Sequence, residues 1–225
     1  MKIPLLPASN PDAHRALGAA VTIAAGWVFT SVAVNITAGT PSGVDTQVAT
    51  WFHQHTTPSL TRAAIAITFL GSPLLLGGAS VIFGLFLMWR RWWYRLLSLV
   101  LTMGGGLLLN FLLKILFHRH RPHIEHQLAA TTGYSFPSGH VMGSMLFCGA
   151  MVSTFVLSAR ARPWKIGLYG VMLAYVLLIA LTRLYLGVHY LSDMLGAMAA
   201  GIGWSAFCLT ATKSVRRWPG ESPWA

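Results

Sequence analysis

Acidic side chains are scarce in this chain. Five Asp and Glu stand among 225 residues, against 16 Lys and Arg. They are Asp12, Asp45, Glu125, Asp193 and Glu221, and no two are neighbours in sequence. A site that holds divalent ions between clustered carboxylates therefore cannot come from any local stretch. Cysteine is scarcer still: Cys148 and Cys208 both lie inside apolar runs, with no CxxC and no Cys/His metal spacing. They read as small core residues and say nothing about redox compartment. Charged residues make up 9% of the chain, where a soluble domain carries about 25%. With 55% hydrophobic residues and a mean hydropathy of +0.60, that deficit marks an integral membrane protein.

Long apolar runs are what the chain has in abundance. Six are predicted to span a bilayer, at 16–38, 73–89, 96–117, 141–159, 166–181 and 190–211. The first is too long for the apolar part of a cleaved signal peptide, usually about 7–15 residues, so it reads as an anchor. Between the first two runs, Val44, Val48, Trp51 and Phe52 recur at helical spacing, opposite Asp45, Gln47 and Gln54. This predicts a short amphipathic helix lying on the membrane surface, with 63–70 extending that layer until Gly71-Ser72-Pro73 interrupts it. Arg90 to Arg95 forms a basic, aromatic turn. Gly104-Gly105-Gly106, and Gly196, Ala200 and Gly203, are small residues suited to close helix contact. The expected fold is an all-α membrane protein: a six-transmembrane-helix bundle with a short amphipathic surface helix between spans one and two. It forms one domain over 1–225, with a motif-bearing core at about 45–211 and cytoplasmic tails at 1–15 and 213–225.

A net charge of +11 would point to nucleic acid in a soluble chain; here it reports topology. With six spans, one side receives Lys2, Arg15, Arg90, Arg91, Arg95, Arg160, Arg162, Lys165, Lys213, Arg216 and Arg217. The other receives Arg62, Lys114, Arg119, Arg121 and Arg183. Basic residues favour the cytoplasmic side, so both termini are expected there and the polar clusters outside, in the inner (cytoplasmic) membrane of the cell.

Three such clusters fall on that outer side. The first runs from Lys114 to Arg121 and Pro122. Lys114 and Arg121 are seven apart, two turns of helix, so both are expected to point one way. Alone, they could be two cations snorkelling from a helix end. The second is Pro137-Ser138-Gly139-His140, a helix entry whose free N–H groups make a ready anion site. Its plain alternative is a turn beside an interfacial histidine. The third carries Arg183, His189 and Asp193. A carboxylate four residues after an imidazole can fix its tautomer and stabilise its cation, although a lone cluster of this kind is as readily a structural ion pair. Together the three offer two Arg, one Lys, two His, one Asp and a helix N-terminus on one membrane face. That set fits a phosphate or another tetrahedral oxyanion, with a nucleophile and an acid added.

Lys114-x6-Arg121-Pro122, Pro137-Ser138-Gly139-His140 and Thr182-Arg183-x5-His189-x3-Asp193 closely resemble the three signature motifs of the type-2 phosphatidic acid phosphatase superfamily. Order, spacing and intervening lengths match. One departure is Thr182, where the family usually has Ser; a hydroxyl is retained. The resemblance implies a metal-independent phosphatase without cofactors. His189 would attack phosphorus to form a phosphohistidine, with Asp193 on its other ring nitrogen. His140 would protonate the leaving lipid oxygen and then activate water. Lys114, Arg121, Arg183, Ser138 and the Gly139 backbone would hold the phosphoryl oxygens. A bell-shaped pH profile is expected, because the two histidines need opposite protonation states.

The implied partner is a phosphorylated lipid reached from the bilayer, with no nucleic acid involved. Compact six-span members resemble bacterial enzymes acting on undecaprenyl diphosphate, the leading expectation, or on phosphatidylglycerophosphate. Phosphatidic acid, a lipid A phosphate and phosphotransfer are alternatives. A transporter of phosphorylated lipid would need the cations but not the His189–Asp193 dyad. A haem cytochrome would place histidines on facing helices, away from cations. The loop histidines His118, His120, His123 and His126, with Glu125, invite a metal reading, but a solvated, mildly basic loop accounts for them.

Overall fold

Polar breaks between apolar runs start the helices. A computed structural model describes residues 11–37, 41–122, 132–152, 154 and 162–215, and all its regular elements are helical. Helix α1 is Pro11–Thr37. Ser42 caps α2, Gly43–Gln54, by accepting the Asp45 N–H at 3.1 Å. Thr57 caps α3, Pro58–Phe69, and Ser72 caps α4, Pro73–Trp89. Each of these last two caps is followed by proline at the first helical position, where a missing N–H costs nothing. The third apolar run divides into α5, Trp93–Val100, a π-helical turn at Leu101–Gly105, and α6, Gly106–Phe117. Helix α7 is Gly139–Met151, α8 is Arg162–Tyr185 and α9 is Leu191–Val215.

Among the described residues, five stretches are long and apolar enough to cross a membrane: Asp12–Ile36, Pro58–Trp89, Trp93–Phe117, Trp164–Tyr185 and Leu191–Thr212. Helix α7 is apolar but shorter, and most of the second half of the span expected at 141–159 lies outside the described residues. The expected break at Gly71-Ser72-Pro73 is present but short: α3 ends at Phe69 and α4 starts at Pro73. Only Leu70 to Ser72 separate α3 from α4, because the Ser72 cap restarts the helix at once. Helix α3 packs along α8, so 63–70 belongs to the bundle wall.

Helices α7 and α9 lie at the centre, with α1 laid along α9. The core is built of Leu87, Met142, Leu146, Val176, Ile179 and Met194, from α4, α7, α8 and α9. Outward-facing side chains are also apolar: Ile82 and Trp89 on α4, Leu116 on α6, and Ile166 and Val171 on α8 are all more than 60% exposed. Such a surface fits lipid as the solvent. The basic turn after α4 stacks Arg95 over Trp92, 4.1 Å from its ring centre.

Small residues let the central helices approach. A Cβ on Gly105 would collide with the Trp204 ring of α9, whose indole N–H donates to the Leu101 carbonyl at 3.1 Å. That carbonyl starts the π turn, so the wider winding supplies an acceptor to the neighbouring helix. A Cβ on Gly106 would overlap Leu146 of α7. Gly196 of α9 faces the fully buried Phe136 ring, which also meets Phe29 and Phe117. Phe136 thereby fixes the segment that leads into α7.

Gly196→Val therefore pushes on Phe136, and overpacking of this kind costs about 1–3 kcal/mol. The expected result is an unfolding midpoint lowered by several degrees in detergent. Gly78→Ala on α4, where a Cβ meets nothing within 4 Å, leaves the midpoint unchanged or raises it. Equal midpoints for Gly196→Val and wild type would contradict the packing account.

Candidate active site

The carboxylate of Asp193 is completely buried in the first turn of α9. Its Oδ2 accepts the Tyr190 N–H at 2.8 Å, the reach-back of a capping residue. The same oxygen accepts the Ser135 hydroxyl and lies 3.3 Å from Nδ1 of His189. Oδ1 accepts Arg119 Nη1 at 2.5 Å. A carboxylate ringed by donors must be the acceptor towards His189, so Nδ1 carries the proton and Nε2 keeps its lone pair. The chain reaches this point through Gly187, whose φ of +69° turns it out of α8 without a Cβ clash. His189 itself is 3% exposed. Burial pushes its imidazole down from the ordinary 6.5 to about 4, against the upward pull of Asp193. At neutral pH the ring is uncharged and Nε2 keeps its lone pair free.

Cations surround that nitrogen. Arg121 places Nη1 3.4 Å from Nε2 of His189 and donates to the carbonyls of Val188, Gly133 and Thr132 at 2.9, 3.0 and 3.1 Å. Lys114 donates to the Tyr134 carbonyl at 2.7 Å. Arg183, 4% exposed, donates to Thr68 of α3 at 3.2 Å, while its Nε has no partner among the described residues. The Ser138 hydroxyl, one residue before α7 begins, is also buried without a partner among the described residues. Buried donors are seldom left unused, and these two suit an anion. His140, half-buried on the first turn of α7, lies in the electrostatic field of Arg183, His189, Arg121 and Lys114. All three sequence clusters thus meet at one end of the bundle.

Several details differ from the sequence expectation. Helix α6 stops at Phe117, because His118 turns left-handed at φ 45°, so Arg121 stands in a loop and not on the helix of Lys114. The two cations still converge, through the shared Tyr134 carbonyl. The Thr182 hydroxyl donates to the Ile179 carbonyl of its own helix at 2.6 Å and is not directed at the site. Among the described residues no group of three or more His, Cys, Asp and Glu can hold a metal ion. His118 packs edge-on against Tyr134, and His123, Glu125 and His126 lie outside the described residues.

The main correction concerns Asp45. Expected on the polar face of α2, it is 3% exposed and ion-paired with Arg119 at 2.9 Å. Val44 and Trp51, expected on the apolar face, are 57% and 55% exposed. The inward stripe is instead Asp45, Val48 and Phe52, at i, i+3 and i+7, with Asp45 buried and Val48 and Phe52 half-buried against the core. Arg119, read only as one of the loop's basic residues, bridges Asp45 and Asp193. Two of the five carboxylates therefore do meet in space, around a guanidinium. The signal in the sequence was the phase of Asp45 with Val48 and Phe52.

Comparison with known proteins agrees with this geometry. The chain is 33% identical over 150 residues to phosphatidylglycerophosphatase B of Bacillus subtilis, covering 64% of this chain and 71% of that protein. It is 28% identical over 102 residues to undecaprenyl-diphosphatase BcrC of the same organism, covering 44% and 48%. Among solved structures, a transmembrane PAP2-type phosphatidylglycerolphosphate phosphatase from Bacillus subtilis superposes with a TM-score of 0.73 at 26% identity, over 89% of this chain and 98% of that one. Aquifex aeolicus LpxE shares the fold, with a TM-score of 0.57 at 23% identity over 77% and 96%. The family model described as the PAP2 superfamily matches residues 95–217, a range that holds every residue of the three clusters. On that match the chain belongs to the PAP2 superfamily and is a membrane hydrolase of phosphoric esters.

Proposed function

We propose that this protein removes the terminal phosphoryl group of a membrane lipid, without a metal ion, through a phosphohistidine at His189. The observation that carries the reading is the convergence of a buried His189–Asp193 dyad with Lys114, Arg121, Arg183 and two unpartnered buried donors. Nε2 of His189 attacks phosphorus, and the N–P bond forms as the bond to the lipid oxygen breaks. His140 gives that oxygen its proton. Water then attacks phosphorus, passing a proton to His140, and inorganic phosphate leaves as the N–P bond breaks. Charge gathers on the phosphoryl oxygens in both steps, where the three cations and the α7 N-terminus stand ready. Fixed cations take the part that metal ions play in carboxylate-rich phosphatases.

The lipid lies in the outer leaflet on this reading, in a six-span chain with cytoplasmic termini and α2 at the outer surface. The excess of basic residues on the opposite side supports that orientation. Undecaprenyl diphosphate and phosphatidylglycerophosphate both end in the same terminal group, so the motif residues do not separate them. The relative named for the first has the shorter match and the one named for the second the longer. We take undecaprenyl diphosphate as the leading substrate, because the proposed outward orientation suits it, with phosphatidylglycerophosphate as the alternative.

The decisive assay measures phosphate release by detergent-purified protein, wild type beside His189→Ala, with EDTA present. The panel holds undecaprenyl diphosphate, phosphatidylglycerophosphate, phosphatidic acid and a lipid A phosphate. Wild type is expected to release phosphate regardless of EDTA, and His189→Ala less than a tenth as much. Loss of activity in EDTA, or a variant above that tenth, contradicts the reading. The pH dependence follows from the lowered imidazole. His189 works uncharged, so its contribution is full above about 4 and is lost as pH falls through that value. With the substrate's own ionisation divided out, the acid limb of kcat/KM is expected near 4. A limb near the ordinary 6.5 would mean that the nucleophile is not buried as described.

A further inference from the structure

The three motifs leave two charged residues of the site without a role. We propose that Asp45 and Arg119 are positioning residues of the hydrolytic reaction, holding the Asp193 carboxylate so that it presents Nε2 of His189, and coupling α2 to the active site. This rests on His189 as the nucleophile. Asp45 lies outside the residues matched by the family model, and neither residue occupies a motif position.

The geometry is that of a two-sided clamp. Arg119 gives Nη1 to Asp193 Oδ1 at 2.5 Å and to the Ser192 hydroxyl at 2.7 Å, and Nη2 to Asp45 Oδ2 at 2.9 Å. Asp45 Oδ1 accepts the Ser192 N–H at 2.9 Å, and its Oδ2 accepts the Ser192 hydroxyl at 2.6 Å. The Tyr190 ring supports the guanidinium from one face, 4.4 Å from Cζ. Thus one carboxylate from α2 satisfies the second residue of α9 while its arginine satisfies the third. The pair thus holds Ser192 and Asp193, at the α9 end of the turn that carries His189.

Charge gives the pair a chemical role as well. Two carboxylates and one guanidinium leave one net negative charge beside His189. The ring becomes cationic when Nε2 bonds to phosphorus, and that charge stabilises it through Asp193. Without Asp45 the guanidinium would belong to Asp193 alone, and the dyad's negative charge would be cancelled. Among the described residues the Asp45 and Arg119 side chains bond to Ser192 and Asp193 and not to Lys114, Arg121 or Arg183, so substrate binding should be spared.

The test uses full-length enzyme in detergent micelles with phosphatidylglycerophosphate and undecaprenyl diphosphate, beside wild type and His189→Ala. Asp45→Asn is expected to lower kcat about 10–100-fold, the usual cost of removing a partner that orients a reacting group, with KM within about twofold. Arg119→Lys keeps the charge but cannot fork to two carboxylates, and is expected to lose at least fivefold in kcat. Asp45→Asn with Arg119→Gln restores one net negative charge, so the double variant should lose less than the product of the two single losses. Wild-type kcat in Asp45→Asn and Arg119→Lys, with only the unfolding midpoint lowered, would show a purely structural ion pair and overturn the proposal. Should Asp45→Asn not be recovered as monodisperse protein, Arg119→Lys decides by the same kcat criterion. Wild type inactive on both lipids would overturn the phosphatase reading and this inference with it. An active wild type with unaffected variants overturns this inference alone.

Discussion

A single buried carboxylate governs how this end of the bundle is built. Asp193 has no exposed surface and four donors: the Tyr190 N–H, the Ser135 hydroxyl, the Arg119 guanidinium and the His189 ring. A buried charge that loses its partner typically costs 3–5 kcal/mol, so each of these contacts constrains the element that supplies it. The α8–α9 turn supplies the first and last, the segment before α7 the second, and the loop after α6 the third. Helix α2 enters at one remove, through Asp45. Packing of Phe136 against Gly196 then sets how deep the Ser135–Ser138 segment can sit.

The same region holds more positive than negative charge. Among the described residues, Lys114, Arg121 and Arg183 have no carboxylate partner of their own at hydrogen-bond distance; backbone carbonyls and Thr68 receive their protons. Carbonyls solvate a cation without neutralising it. A phosphoryl group entering among these groups would supply the missing negative charge in a setting shielded from water, where electrostatic attraction is strong. The unpartnered Arg183 Nε and Ser138 hydroxyl are consistent with that vacancy of charge.

Much of this was legible in the chain because membrane solvent and motif spacing leave strong signals. Pro73–Trp89 begins and ends as its apolar run does, and the clusters around Lys114, Ser138 and His189 meet at one end of the bundle. What the sequence hid depends on contacts between distant segments. The sidedness of α2 was read from its polar residues, but Asp45 turns inward because Arg119 and Ser192, far along the chain, offer it donors. Hydrophobicity ranks a carboxylate as outward; only a partner reverses that. The end of α6 was set by a left-handed His118, which no strong breaker announces. The glycines at 104–106 foretold close packing, yet the π turn and the Trp204 N–H that its Leu101 carbonyl accepts are invisible within the run.

The covalent step is the central claim, and trapping it is the most direct test. Wild-type protein would be mixed with lipid labelled in its terminal phosphoryl group and quenched in alkali within the first turnover. The account predicts labelled protein whose label survives alkali and is lost in acid, as a phosphohistidine requires, and none in His189→Ala. Phosphate released in that first turnover with no labelled protein, or a label that resists acid, would contradict it.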